Sequence, residues 1–216
     1  MYSCVIFDLD GTLLNTLDDL AAACNHALSV QGLPVHETEK FRYFVGNGIP
    51  KLIERILPED KKVELHEKTY RLFCDYYDLH KNDSTRPYDG ITELLSELKK
   101  KEIKTAVVTN KGHSFAEELI KDIFGELIDK VYGSVEGLPK KPDPYFVNKA
   151  VEFFGIKPSE VLYVGDSGVD MLTGKNAGLK ACGVLWGFRD REELLENGAD
   201  YLASTAEELY CIIFNS

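Results

Sequence analysis

The chain has 216 residues, of which 44% are hydrophobic and 28% charged, and it carries a formal net charge of -11. That length suits one large domain or two modest ones, and the balance is that of an ordinary water-soluble globular chain. The acidic excess, with no basic patch to offset it, argues against nucleic acid as a partner, and no apolar run is long enough to span a membrane.

The five cysteines, Cys4, Cys24, Cys74, Cys182 and Cys211, are odd in number and stand at no metal-ligand spacing. They read as reduced thiols of a cytoplasmic protein rather than as a disulfide framework. An apolar strand beginning almost at Met1 leaves no room for a signal peptide in that reading.

Cys4-Val5-Ile6-Phe7 reads as a short buried strand that runs into Asp8 and Asp10, with Gly11 as the break after it. Leu17, Leu20, Ala21, Cys24 and Leu28 recur at helical spacing, with Thr16 as N-cap and Asp18 and Asp19 complementing the helix dipole. A loop at Gly32-Leu33-Pro34 follows. A second break, Gly46-Asn47-Gly48-Ile49-Pro50, opens a short helix carrying Leu52, Ile53, Ile56 and Leu57. Val63, His66, Tyr70, Phe73 and Tyr77 line a third helix. Residues 16–81 therefore read as a helical insert with its own small core.

From Pro87 the texture changes. Helices are predicted around Leu94 and Leu98, around Leu119 and Ile120, and from Pro142 and Pro144 through Phe154. Strands are predicted at Ile103 to Thr109, Lys130 to Gly133, Val161 to Val164 and Leu179 to Val184, and a last helix near Ala206 to Ile213. Lys99-Lys100-Lys101 closes one helix at its negative dipole end. This alternation predicts an α/β core, a parallel sheet covered by helices on both faces, built from residues 1–15 and 82–216.

Two carboxylates at the end of a buried strand repel each other, and a hard cation such as Mg²⁺ relieves that repulsion. A simple turn explains an isolated Asp-x-Asp-Gly equally well. The other strand ends shift the balance: Thr109-Asn110 ends one strand, Asp166 and Asp170 follow another, and Lys141 precedes a helix. In a parallel sheet these ends share one edge. Four carboxylates, a hydroxyl, an amide and an ammonium are the equipment of phosphoryl transfer. A carboxylate can act as nucleophile and a second as general acid and base, while cationic groups stabilise the phosphoryl oxygens.

Asp8-Leu9-Asp10-Gly11-Thr12-Leu13, Thr109-Asn110, Lys141-Pro142-Asp143-Pro144 and Gly165-Asp166-Ser167-Gly168-Val169-Asp170 resemble the four motifs of the haloacid dehalogenase superfamily, in the same order. The resemblance implies a Rossmann-like core, Mg²⁺ at the strand ends, and an inserted α-helical cap domain over residues 16–81. Carried over, it makes Asp8 the nucleophile and Asp10 the acid/base, the latter also a metal ligand through its backbone carbonyl. Thr109 and the Asn110 N–H hold the phosphoryl group, and Lys141 balances charge beside Asp8. Asp166 ligates the metal directly, and Asp170 ligates it through water or only orients its surroundings.

Within that superfamily the stretch from Phe44 to Ile53, and Val184 to Arg189 followed by Gly198-Ala199-Asp200, are similar to the phosphoglycolate phosphatases. Asn15 departs from the aspartate that many of those relatives carry. The implied activity is hydrolysis of a small phosphorylated metabolite, with Gly46, Asn47 and Gly48 binding substrate. A β-phosphoglucomutase-type mutase and a pyrophosphatase of the same superfamily stay open as alternatives. A phosphoacceptor signalling module would share the acids, Thr and Lys but lack the insert. Dehalogenation needs no acid for a leaving oxygen, so Asp10 argues against it.

Overall fold

In the computed structural model, which describes residues 1–215, the elements follow in the order β1 (Cys4–Phe7), β2 (Leu14–Asn15), α1 (Leu17–Val30), α2 (Phe41–Phe44), α3 (Ile49–Ile56) and α4 (Lys62–His80). Then come β3 (Arg86–Pro87), α5 (Ile91–Lys100), β4 (Lys104–Gly112), α6 (His113–Phe124), β5 (Lys130–Ser134), α7 (Tyr145–Phe154) and β6 (Val161–Gly165). The chain closes with α8 (Gly168–Asn176), β7 (Lys180–Val184), α9 (Arg191–Glu196), β8 (Tyr201–Ala203) and α10 (Ala206–Asn215).

The chain divides into two compact units: Met1–Leu14 with everything from Pro87 onward, and Asn15–Arg86. β2 and β3 pair as a two-stranded ribbon where the chain passes from one unit to the other. The sequence reading drew its divisions after residues 15 and 81. The stretch up to Arg86 stays with the helical unit because the buried Asp19 carboxylate accepts the backbone N–H groups of Ser84 at 3.0 and 3.1 Å and of Thr85 at 2.8 Å. Asp19 is therefore a clamp for the return segment, a stronger role than the dipole partner expected of it.

The α/β unit holds a six-stranded sheet in the order β5-β4-β1-β6-β7-β8, with every pairing parallel. Alternating residues of the central strands feed two separate cores. Val5, Phe7, Val107, Leu162 and Val164 point into one, against Leu94, Leu98, Leu119 and Leu209. Cys4, Ile6, Ala106, Val108, Val161 and Tyr163 point into the other, against Val147 and Ala150. Both faces are covered, which is why these strands read as unbroken apolar runs. From β1 the chain builds outward through β4 to β5, then crosses back to β6 on the opposite flank. Such a reversal leaves a crevice at the carboxyl ends of the central strands.

The helical unit is organised around α1 and α4, with Ala27, Leu28, Phe41, Ile53, Phe73 and Tyr77 buried. The inward face of α4 runs through Thr69, Phe73 and Tyr77. Val63 lies off that face and is 99% exposed, against the sequence reading. Thr16 occupies the N-cap position of α1, but its side chain makes no capping bond; Asn15 Oδ1 accepts the Leu17 N–H at 3.3 Å instead. The sequence reading also missed α9 and β8, which at six and three residues are too short to carry a periodic signal.

Two backbone donors on one buried carboxylate set the size of an expected stability effect. Asp19→Ala leaves the Ser84 and Thr85 N–H groups without that acceptor and should cost about 2 kcal/mol. Urea unfolding monitored by circular dichroism checks this, and Asp19→Asn, which keeps one acceptor oxygen, should lose less.

Candidate active site

Phe7 pairs with Val107 on one side and Val164 on the other, so Asp8 is the first residue beyond the paired strand, and its N–H still donates to Val164 O at 2.8 Å. Asp166 follows β6 in the same way, and Asp170 lies in the first turn of α8. One carboxylate oxygen from each of Asp8, Asp166 and Asp170 lies within 4.8 Å of the others, and all three residues are buried. Lys141 Nζ enters the cluster 2.7 Å from Asp8 Oδ1 and 2.7 Å from Asp170 Oδ1.

Each acid is held differently. Asp170 is saturated: Oδ1 accepts from Lys141 Nζ and from Tyr163 OH at 3.2 Å, and Oδ2 from the Ser167 N–H at 3.1 Å and Ser167 Oγ at 2.6 Å. Ser167 thus caps α8 and fixes Asp170 in one motif. Asp166 accepts from Thr12 Oγ1 at 3.2 Å and from the Phe188 N–H at 2.8 Å. It is wedged between two glycines: a Cβ on Gly11, whose φ is +88°, would stand 2.2 Å from Asp166 Oδ2, and one on Gly187 would stand 2.2 Å from Asp166 Cβ. Asp8 differs again. Lys141 lies beside its buried Oδ1, but off the direction of a hydrogen bond, so that oxygen has a charge partner and no aligned donor.

Two of the three buried carboxylates, Asp8 and Asp170, share the Lys141 ammonium, and the crowding of charge shows in all three groups' surroundings. Burial, then the charges of Asp170 and Asp10, push the Asp8 carboxyl up to about 7 despite Lys141. Burial, then Asp170 and Asp8, push Asp166 up to about 8, against the Phe188 N–H and Arg189. Burial alone would lower Lys141, but Asp170 and Asp8 hold it well above the ordinary lysine value. An oxygen cluster short of positive charge, with an undonated oxygen at its centre, fits a divalent cation. Asp8 carries the undonated oxygen and each Asp166 oxygen accepts one hydrogen bond, whereas each Asp170 oxygen accepts two, so Asp8 and Asp166 have more capacity left to hold one.

β4 runs to Gly112, three residues beyond its expected end, and it is irregular there. Val108 pairs with Tyr132, but the next pair is Gly112 with Ser134, so four steps on β4 face two on β5. This bulge carries Thr109, Asn110 and Lys111, all buried. Thr109 Oγ1 accepts the Lys111 N–H at 3.2 Å. The Asn110 amide clasps the backbone of Lys141, accepting its N–H at 2.9 Å and donating to its carbonyl at 3.3 Å. Lys111 Nζ reaches Asp10 Oδ1 at 2.9 Å, so the Asp10 carboxylate pairs outside the acid triad. Gly133 makes room for the bulge, since a Cβ there would lie 2.9 Å from Lys111 O and 2.5 Å from His113 Cα.

Gly46, Asn47 and Gly48 belong to the helical unit. Gly46 and Gly48 take φ values of +119° and +82°, and Asn47 Oδ1 accepts from Arg55 Nη2 at 2.7 Å. Sequence reasoning missed Lys111 and Tyr163. Each left a signal: a lysine two positions past Thr109 inside a buried strand, and a tyrosine in an aliphatic one, where a buried phenol needs a partner.

A family model described as haloacid dehalogenase-like hydrolase matches residues 5–184. The chain belongs to that family. It is 34% identical over 218 residues to a phosphoglycolate phosphatase of Vibrio parahaemolyticus, covering 97% of this chain and 95% of the relative. It is 35% identical to one of Neisseria meningitidis, covering 95% and 91%. A crystal structure of a candidate phosphoglycolate phosphatase from Lactobacillus delbrueckii subsp. bulgaricus superposes with a TM-score of 0.94 at 29% identity, covering 100% of this chain and 99% of that one.

The raised carboxyls set a pH dependence. Between 3.8, the ordinary aspartate value, and about 7 or 8, the unfolded chain releases protons that folded Asp8 and Asp166 keep. Stability of the metal-free protein should therefore fall as pH rises through that window. Thermal melts in EDTA from pH 5 to 9 check it, and Asp166→Asn should flatten the fall. Adding a divalent cation should raise the melting temperature most at the alkaline end.

Proposed function

We propose that this chain is a Mg²⁺-dependent phosphatase that hydrolyses a small phosphate monoester through an aspartyl-phosphate on Asp8, with phosphoglycolate as the first substrate to test. The observation that carries the reading is Asp8 itself: a buried carboxylate at a strand end, flanked by Lys141 and Asp166, with an oxygen that no donor occupies. A carboxylate with an oxygen that no aligned donor occupies can act as a nucleophile.

In this reading an Asp8 oxygen attacks phosphorus and the ester P–O bond breaks, its electron pair passing to the leaving oxygen. Asp10 delivers a proton there. Asp10, now a carboxylate, takes a proton from water as that water attacks the phosphoryl group, and the bond to Asp8 breaks to restore the free carboxylate. Thr109 and the Asn110 N–H bind phosphoryl oxygens, and Lys141 offsets their charge. Mg²⁺, held by Asp8, Asp166 and the Asp10 backbone carbonyl, would supply charge neutralisation and alignment of the phosphoryl group. The Asp170 contacts favour a role in aiming Lys141. Substrate choice is assigned to the Gly46–Gly48 loop, where backbone N–H groups beside a helix start suit a short carboxylate. The curated relatives named as phosphoglycolate phosphatases support that substrate.

Asp8→Asn keeps the shape and removes the nucleophile, so turnover of phosphoglycolate should fall by about 10⁴-fold or more with the fold intact. Steady-state phosphate release measures it, with mass spectrometry to exclude deamidation. EDTA should abolish wild-type activity and Mg²⁺ should restore it. Near-native rates from undeamidated Asp8→Asn would defeat the reading.

Gly48→Val meets a backbone at φ +82° that valine resists. It should raise KM for phosphoglycolate about tenfold or more and KM for 4-nitrophenyl phosphate far less. Equal changes for the two substrates would remove the loop from the specificity argument.

A further inference from the structure

We propose that Lys111 is a positioning residue that aims the Asp10 carboxyl group for proton transfer. The assignment rests on the reading of Asp10 as proton donor and acceptor.

Three observations lead to it. First, the Lys111 side chain is 2% exposed. Lysine is almost never buried to that degree unless paired, and an apolar side chain of similar volume would fill the same space without desolvating a charge. A charge kept in such a place is kept for what it meets. Second, it meets Asp10: Nζ lies 2.9 Å from Oδ1, joining residues 101 positions apart in the sequence. Third, the backbone has been rearranged to allow the meeting. Lys111 lies in the bulge of β4, its N–H is tied to Thr109 Oγ1, and Gly133 on β5 leaves the space its carbonyl occupies. Bulges next to functional sites commonly re-aim side chains in this way.

The consequence for Asp10 is geometric. Its side chain is 13% exposed, close to the 10% of Asp8 and unlike the 0% of Asp170, so it keeps a face open to a leaving group or water. An exposed carboxyl group would rotate freely. With Oδ1 held by Lys111, the plane of the group is set and Oδ2 is the oxygen left to carry the proton. Efficient proton transfer depends on such alignment, within hydrogen-bond reach of the reacting oxygen. Lys111 itself neither gains nor loses a proton. The two lysines thus divide the crevice: Lys141 serves Asp8 and Asp170, and Lys111 serves Asp10.

The test reads leaving-group dependence. Phosphoenzyme formation is followed by rapid quench with phosphoglycolate, whose alkoxide needs a proton, and with 4-nitrophenyl phosphate, whose phenolate hardly does. Lys111→Met should slow formation from phosphoglycolate by about 10²-fold and from the aryl ester by less than about fivefold. In an Asp10→Asn background the same substitution should add less than about twofold, because the group it aims is gone. Lys111→Arg keeps a cationic donor at a shifted position and should recover part of the loss. Circular dichroism confirms folding. If Lys111→Met does not fold, the ratio is read from Lys111→Arg, which should still favour the aryl ester. Wild-type turnover combined with equal losses on both esters, or with an undiminished loss in the Asp10→Asn background, overturns the role of Lys111 alone. A wild-type protein that turns over neither ester defeats the phosphatase reading, and this assignment with it.

Discussion

Three buried carboxylates converge beyond the carboxyl ends of β1 and β6, two of them on the Lys141 ammonium, and their mutual repulsion sets what the surrounding residues must supply. Such a cluster does not persist on its own in a low-dielectric interior; each acid must be pinned or its charge offset. Asp170 is pinned by four donors and Asp166 by two. Asp8 has only the nearby Lys141 charge, which lies off the hydrogen-bond direction. Lys141 is in turn anchored through its backbone by Asn110. The acids thus grade from Asp170, with two donors on each oxygen, through Asp166, with one on each, to Asp8, whose Oδ1 has no aligned donor.

Close packing keeps that cluster in shape. Gly11 and Gly187 border Asp166 so tightly that a single added carbon on either would collide with it. Gly165 borders Asp170 in the same way, with a built Cβ falling 2.3 Å from Asp170 Cβ. Trp186 Nε1 donates to Thr12 O at 3.0 Å and ties the segment after β7 to the loop after β1. These residues carry no reactive group. They set the separations between groups that do, and near van der Waals contact they cannot drift.

The bulge in β4 resolves a conflict between strand geometry and chemistry. In a regular strand Thr109 and Lys111 would share one face and Asn110 the other. Here all three are buried: Thr109 Oγ1 accepts the Lys111 N–H within the bulge, Asn110 clasps the Lys141 backbone and Lys111 reaches Asp10. The cost is a disrupted pairing with β5, limited to a region where Gly133 offers no side chain to oppose it.

Much of this was legible in the sequence. The run Cys4 to Phe7, the strand–helix alternation after Pro87 and the motifs at Asp8, Thr109, Lys141 and Asp166 depend on local pattern, and local pattern is what a sequence carries. Membership of the haloacid dehalogenase-like hydrolases follows from those same segments. The sequence also announced a helical insert, because the periodicity of Leu17 to Leu28 and of Phe73 and Tyr77 is independent of context. It did not announce where the return segment belongs, since Asp19 and Ser84 meet only in three dimensions. Nor did it show that Asp170 is saturated, that Asp8 is not, or that Lys111 finds Asp10. Those facts concern distances between groups far apart in the chain. They were decided by the sheet order, the β4 bulge and the close packing of Gly11, Gly133, Gly165 and Gly187, through tertiary packing that no single stretch of sequence records.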